Sequence, residues 1–394
     1  MTGPWPVAPL GEAAERVERV EAPLPGTVYR QAGVRLWGQG AYEREPLDGS
    51  ATKYAFLSRL ERGDILVNKI WARNGSVAVV PPELAGCYVS SEFPTFVPAP
   101  DKLDAKWFHW FTKMPTCWEQ CDEKSRGTSG KNRIRPEKFL EIKIPLPPLR
   151  EQQRVVARIE ALAAKIEEAR GLRRASLLEA QAVISGAMRN VFATERFETV
   201  NLESICADII DNLHSNPVYA ETGVPCVRSP DVGWGVINLD TALRTTAEEY
   251  ARRTVRGAPK TDDIVLVREG GGTGKAGIVE SGQRFSLGQR VMMLRPDVSR
   301  VQPRFLLYQI LSPAVYRDQI LPLSKGSASP HLNIGALRQF RFVLPSLSEQ
   351  SRIVAHLDEL RGKVDALKRL QSDSTAELDA FLPSVLDKAF KGEV

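Results

Sequence analysis

The amino-acid sequence repeats itself once. Ile144-Pro-Leu-Pro-Pro-Leu-Arg-Glu-Gln-Gln-Arg-Val-Val-Ala-Arg-Ile159 returns as Phe342-Val-Leu-Pro-Ser-Leu-Ser-Glu-Gln-Ser-Arg-Ile-Val-Ala-His-Leu357, an offset of 198 residues. Leu146, Pro147, Leu149, Glu151, Gln152, Arg154, Val156 and Ala157 come back as identities. The same offset pairs Trp107 with Phe305, Trp110 with Tyr308, Pro115 with Pro313, Trp118 with Tyr316 and Phe192 with Phe390. Farther upstream Gly63-Asp-Ile-Leu-Val67 answers Asp262-Asp-Ile-Val-Leu266, with the offset slipped by one. Such a duplication constrains the fold strongly, because whatever architecture one half adopts the other adopts too.

Each half reads in two parts. The first mixes short β-rich runs, Asp64-Ile-Leu-Val-Asn68 and Asp263-Ile-Val-Leu-Val267, with glycine and proline punctuation. Near its end an aromatic helix is expected over 103–118, and again over 303–316. The spacing of Trp107, Trp110 and Phe111, matched by Phe305 and Tyr308, marks a core face rather than a base-stacking platform. A Pro-rich strand then stops at Leu149, and Arg150-Glu151-Gln152-Gln153 opens a long helix with an acid in its first turn.

Along that helix Val155, Ile159, Leu162, Ile166 and Ala169 are spaced 4-3-4-3, and Ile353, Leu357, Leu360, Val364 and Leu367 keep the same phase. Both seams cross polar residues, Arg173 and Ser176 against Gln371 and Ser374. Both are expected to recover, as Ala180, Val183 and Ala187 and as Leu378, Phe381 and Val385. A heptad seam this narrow asks for a partner helix, and the equivalent helix is the nearest candidate. The expectation is an α+β protein: a tandem repeat of two β-rich domains separated by two long antiparallel coiled-coil helices. Its segments are 1–149 and 193–347 for the β-rich domains, 150–192 for the central helix and 348–394 for the C-terminal helix. A rod of roughly 50 Å would place one module at each end.

Composition excludes several classes. Hydrophobic residues make up 43% and charged residues 26%, an ordinary globular balance, and no long apolar run reads as a membrane span. The first residues lack the order of a signal peptide, so the chain is expected to be cytoplasmic. Five irregularly spaced cysteines and four scattered histidines suit neither a disulfide framework nor a zinc site, and no metal is expected. The net charge of +5 permits nucleic acid without demanding it.

The tempting catalytic motifs fail on inspection. Gly270-Gly-Gly-Thr-Gly-Lys275 lacks the first glycine and the final Ser or Thr of a phosphate-binding loop, with Glu269 and Ala276 in their places. A glycine turn between strands explains it. Asn216-Pro-Val-Tyr219 misses the second proline of an amino-methyltransferase loop. The acids Asp101 and Glu141 mimic a nuclease set but have no acidic counterpart in the second half. No catalytic residue is expected.

The motif Pro-Leu-Pro-Pro-Leu-x-Glu-Gln-Gln-Arg-Val-Val leading into a long heptad helix, repeated once, resembles the specificity subunit of type I restriction–modification systems. The ending Leu382-Pro-Ser-Val-Leu-Asp-Lys-Ala-Phe-Lys-Gly-Glu393 looks like that family's C-terminal signature. The second copy lacks counterparts of Pro148 and Gln153. The resemblance implies that each β-rich module is a target recognition domain reading one half of a bipartite double-stranded DNA site. It also implies that the helices fix the spacing and dock two methyltransferase subunits, that restriction/translocase subunits join the full host-defence complex, and that this chain does no chemistry. S-adenosylmethionine, ATP and magnesium are then expected in the partner subunits, with no cofactor bound here.

Two modules of one fold but different sequence, rigidly spaced, suit two different half-sites without that comparison. Adding or deleting a heptad in both helices is expected to change the spacer and leave both half-sites intact, as a map of modified bases would show. The DNA contacts are expected in Gly- and Ser-rich loops, from Arg126, Ser129, Lys131, Asn132 and Arg133 and from Lys325, Ser327, Ser329 and His331. Lys69, Arg73 and Arg268, each following a strand, and Lys275 in the glycine turn form a second group. The rival reading is a structural adaptor whose modules bind protein. Replacing Lys131 and Arg133 should weaken DNA binding and flatten its salt dependence under the first reading and leave DNA unaffected under the second.

Overall fold

The computed structural model describes residues 5–125, 132–213, 215–324 and 331–393. The chain forms two compact units, Met1–Leu172 with Ser372–Val394, and Arg173–Gln371. Both unit boundaries fall inside long helices, so each unit owns one half of each helix.

The two units share a scaffold. In the first, an antiparallel sheet has the order Ala14–Val17, Thr95–Pro98, Ile65–Val67, Val77–Val79. In the second the same order is made by Cys206–Asp211, Val291–Pro296, Ile264–Val267 and Ala276–Ile278. The central strands bury both faces. Ile65 and Val67 face the cluster holding the aromatic helix, while Leu66 faces a second cluster on the other side. Ile264 and Leu266 alternate with Val265 and Val267 in the same way. That two-sided burial accounts for runs that are apolar throughout rather than alternating.

The units differ in their second sheet. In the first unit this sheet has five strands among the described residues, in the order Val20–Glu21, Leu57–Arg59, Tyr88–Val89, Val28–Val34, Ala41–Asp48. The second has four, in the order Tyr219–Ala220, Leu243–Thr245, Val224–Val227, Ser286–Leu287.

The aromatic segment is two helices rather than one. Ala105–Phe111 and Pro115–Ser125 are separate, as are Pro303–Leu311 and the helical stretch that starts at Pro313. Proline at the break disfavours helical geometry in the residue before it, and Ser312 is extended with ψ 154°. Trp107, Trp110 and Phe111 are buried, as are Phe305 and Tyr308, so these rings are core.

The Glu-Gln motif at each helix start has a specific task. Gln152 is fully buried. Its carbonyl accepts from the Asp104 N–H at 2.9 Å, and its amide donates to the Lys102 and Pro147 carbonyls at 2.8 Å each. Gln350 repeats the clamp with the Gln302 N–H and the Arg300 and Pro345 carbonyls. Glu151 and Glu349 pair with Arg154 and Arg352 one turn on. Gln152→Leu keeps the volume but strands three backbone groups, an expected loss of about 2–4 kcal/mol from the first unit's unfolding transition. Denaturant titration checks it, and an unchanged midpoint would count against the clamp.

The long helices are Leu149–Phe192 and Leu347–Lys391, of 44 and 45 residues. They run on past the stretch that the heptads mark because their last turns enter a core. In the first unit Val155, Val156 and Ile159 pack in one cluster with Leu386, Ala389 and Phe390, with Leu382 and Val385 against it. In the second, Ile353, Val354 and Leu357 share a cluster with Met188 and Phe192, with Ile184 and Ala187 alongside. The start of one helix therefore meets the end of the other, and within each unit the two run antiparallel. Arg170 pairs with Asp379 in the first unit, and the Gln371 amide donates to the Arg173 carbonyl in the second.

The anticipated recovery of the seam holds at Ala187 and Val385, which pack against the cores, and is off by one residue at Val183 and Phe381. Val183 and Phe381 are exposed, 57% and 49%, and Ile184 and Leu382 turn inward instead. A straight helix drifts about 20° per heptad, so a strict 3.5-residue count fails late in a long helix. Ile166 and Val364 remain buried, whereas Leu162, Leu360 and Leu367 are half-buried.

Candidate nucleic-acid interface

Three chain segments meet at one junction in each unit. In the first, the Lys69 N–H donates to the Glu92 carbonyl at 3.0 Å, and the Ile134 N–H donates to the Lys69 carbonyl at 2.9 Å. In the second, the Arg268 N–H donates to the Arg290 carbonyl and the Leu332 N–H to the Arg268 carbonyl, both at 2.9 Å. Lys69 and Arg268 follow the central strand, and Glu92 and Arg290 come just before the strand beside it. Arg133 and His331 lead into the short helices Pro136–Leu140 and Ile334–Arg338. The backbone hydrogen bonds are thus the same in both units, while the side chains differ.

In the first unit the exposed Arg133 donates to Glu92 Oε1 at 3.2 Å. Glu92 Oε2 is shielded from water and has no donor among the described residues. Glu92 and Asn68 line an open cleft of about 650 Å³ together with Gln31, Arg44, Lys53 and Tyr54. Lys69 and Asn132 are half-buried. Arg73 does not join them. It lies 6.0 Å from the Trp71 ring, in a cleft of about 690 Å³ that Trp37, Trp118, Glu119 and Glu123 also line.

In the second unit Arg268 differs from its expected place on the surface. It is 5% exposed, and its guanidinium donates to Asp211 at 2.7 Å and to His331 Nε2 at 3.0 Å. Arginine has no acceptor, so Nε2 accepts, which leaves the His331 Nδ1–H to donate to Glu269 at 2.8 Å. Arg268 therefore organises the junction from below, and His331 is the exposed member. Arg290 is exposed and holds a left-handed φ of 66°. Such strain in a non-glycine residue costs about 1–3 kcal/mol and clusters at working sites.

Lys275 closes the glycine turn, which joins the strands Ile264–Val267 and Ala276–Ile278 as anticipated. Gly274 has φ 90°, and a Cβ there would meet the Tyr316 ring at 2.6 Å, so only glycine fits. Arg252 and Arg253 hold the Glu249 carboxyl down at about 2, chiefly through the Arg252 hydrogen bond. Buried Arg253 ties the helix Ala247–Arg253 to the Leu213, Ser215 and Leu287 carbonyls and serves structure.

Arg126, Ser129, Lys131, Lys325, Ser327 and Ser329 lie outside the described residues. Glu92 and Arg290 were missed by the sequence reading, although their separation of 198 residues is the repeat offset itself.

A family model described as the type I restriction modification DNA specificity domain matches residues 42–173 and 247–373, once in each half. The chain belongs to this family. Among curated members it is similar to the EcoBI specificity subunit of Escherichia coli, 25% identical over 281 residues that cover 64% of this chain and 58% of that one. It is also similar to the StySPI specificity subunit of Salmonella potsdam, 24% identical over 303 residues, 72% of this chain and 64% of that one. The chain thus spans about three fifths of the length of these relatives.

Two solved structures share the type I specificity fold across nearly the whole chain. The HsdS subunit from Thermoanaerobacter tengcongensis has a TM-score of 0.64 at 23% identity, covering 100% of this chain and 98% of that one. A chain from a structure on complex assembly and conformational transition of the type I R-M system has a TM-score of 0.75 at 22% identity, covering 99% and 98%. The two-fold family match corresponds to the duplicated scaffold, and no helix among the described residues is long and apolar enough to cross a membrane.

Proposed function

We propose that this chain is the non-catalytic DNA-reading subunit of a type I restriction–modification enzyme, each unit reading one half of an asymmetric bipartite site. The observation that carries this reading is the junction. Two junctions tied by the same backbone hydrogen bonds present different polar side chains beside second sheets of different strand number, as expected where one scaffold is adapted to two DNA sequences. Phosphate contacts would give affinity and base contacts specificity. The long helices would set the spacer and hold two methyltransferase subunits, with restriction/translocase subunits in the larger complex. S-adenosylmethionine, ATP and magnesium belong, on this reading, to those partners.

The experiment is a genome-wide map of modified bases in the native host, with and without this gene. Loss of one split, asymmetric motif supports the proposal and reveals both half-sites. An unchanged map, together with DNA binding that Lys131→Ala and Arg133→Ala leave intact, would favour the adaptor instead.

A further inference from the structure

The junction residues are not interchangeable between the units. At equivalent places the first unit carries Lys69, Glu92 and Arg133, and the second carries Arg268, Arg290 and His331. A surface that meets DNA is expected to be cationic, and an acid facing it is repelled by phosphate. A carboxylate there is informative because it complements the exocyclic amino group of a base.

Glu92 is such an acid. Arg133 occupies one of its oxygens, and the other is shielded from water without a donor among the described residues, at the wall of the cleft that Gln31, Arg44 and Lys53 also line. An acceptor left in that state is unfavourable, so a shift of the carboxylate that lets it take a donor from a ligand is favoured. The adjacent guanidinium is half exposed and offers the fork that suits guanine O6 and N7. Side by side, the pair carries the pattern complementary to a guanine·cytosine pair: donors for the guanine edge and an acceptor for the cytosine N4 amino group.

The second unit cannot read the same pattern. Its residue in the place of Glu92 is Arg290, exposed, with a strained backbone and no acid partner in the described structure. In the place of Arg133 stands His331, whose ring nitrogens are both engaged, by Glu269 and Arg268.

We propose that this three-segment junction is the specificity-determining site of each unit, with the Glu92–Arg133 pair reading a guanine·cytosine pair in one half-site and Arg290 reading a guanine in the other. The proposal rests on the DNA-reading function above and names its residues.

The test uses the full chain in its native complex and a duplex DNA library of random sequence, with bound DNA recovered and sequenced. Wild type should enrich a split motif. Glu92→Gln should relax one position in one half-site from G·C toward A·T, because glutamine matches the adenine edge, with about tenfold or greater loss of discrimination there. Arg290→Gln should alter the other half-site only. In each variant the untouched half-site reports that the protein is folded. A motif unchanged at every position in both variants would overturn the assignment, as would an even loss of binding across all sequences. A wild-type complex that enriches no motif would instead overturn the DNA-reading function itself.

Discussion

Phe390→Ala is expected to destabilise the first unit by about 3–5 kcal/mol while leaving the second unit's transition in place. The side chain comes from the last turns of the second long helix, yet its ring centroid lies 4.4 Å from Trp107 and 5.7 Å from Phe111. It is 7% exposed, and beside it the Trp5 indole donates to the Ala389 carbonyl at 2.7 Å. Truncation would leave a hole walled by rigid aromatic rings, which relax into it poorly. Six of the seven tryptophans, at 5, 37, 71, 107, 110 and 118, belong to the first unit, so fluorescence during denaturation follows that unit. A midpoint that does not move would refute the placement. Phe192→Ala should do the corresponding damage to the second unit, where Phe192 meets Phe305 edge-on at 5.4 Å.

A chain ended at residue 197 is expected to assemble as a dimer. The first unit needs a helix in the seats of Leu382, Val385, Leu386, Ala389 and Phe390. Its own long helix carries Ile184, Ala187, Met188, Val191 and Phe192 at the equivalent places, and in the shortened chain these have lost their own core. The exchanges Leu to Ile, Val to Ala, Leu to Met and Ala to Val nearly conserve total volume, the kind of repacking that cores accept. Two copies can therefore complete each other. Sedimentation or light scattering distinguishes the dimer from a monomer with a loosened core, and the latter would sink the argument. On the function proposed above, such a dimer would select a site made of two copies of one half-site.

The repeat, the helix starts and the apolar central strands were legible in the sequence because each leaves a local periodic mark. The β-rich scaffold follows from runs such as Ile65-Leu-Val67, whose two-sided burial shows as unbroken hydrophobicity. The seam was legible for its first turns and then misplaced by one residue at Val183 and Phe381, because helical drift accumulates and the receiving core sets the final phase. Gln152 and Gln350 could be picked out as repeated residues, but not as clamps, since their partners lie about fifty positions upstream. Arg268 read as a surface cation. Asp211, 57 residues away, pairs with it in a partly buried network.

The sequence by itself determined that one architecture occurs twice, that it ends each time in a long amphipathic helix, and that its variable parts carry no intact catalytic motif. The tertiary structure decided which half of each helix serves which unit, which cations are buried struts and which stand exposed, and that Glu92 and Arg290 meet equivalent neighbours. The division has a physical cause. Periodicity and turn chemistry act between residues a few places apart and are written in order along the chain. Charge pairing and core completion depend on distance in space, which only the packed chain defines.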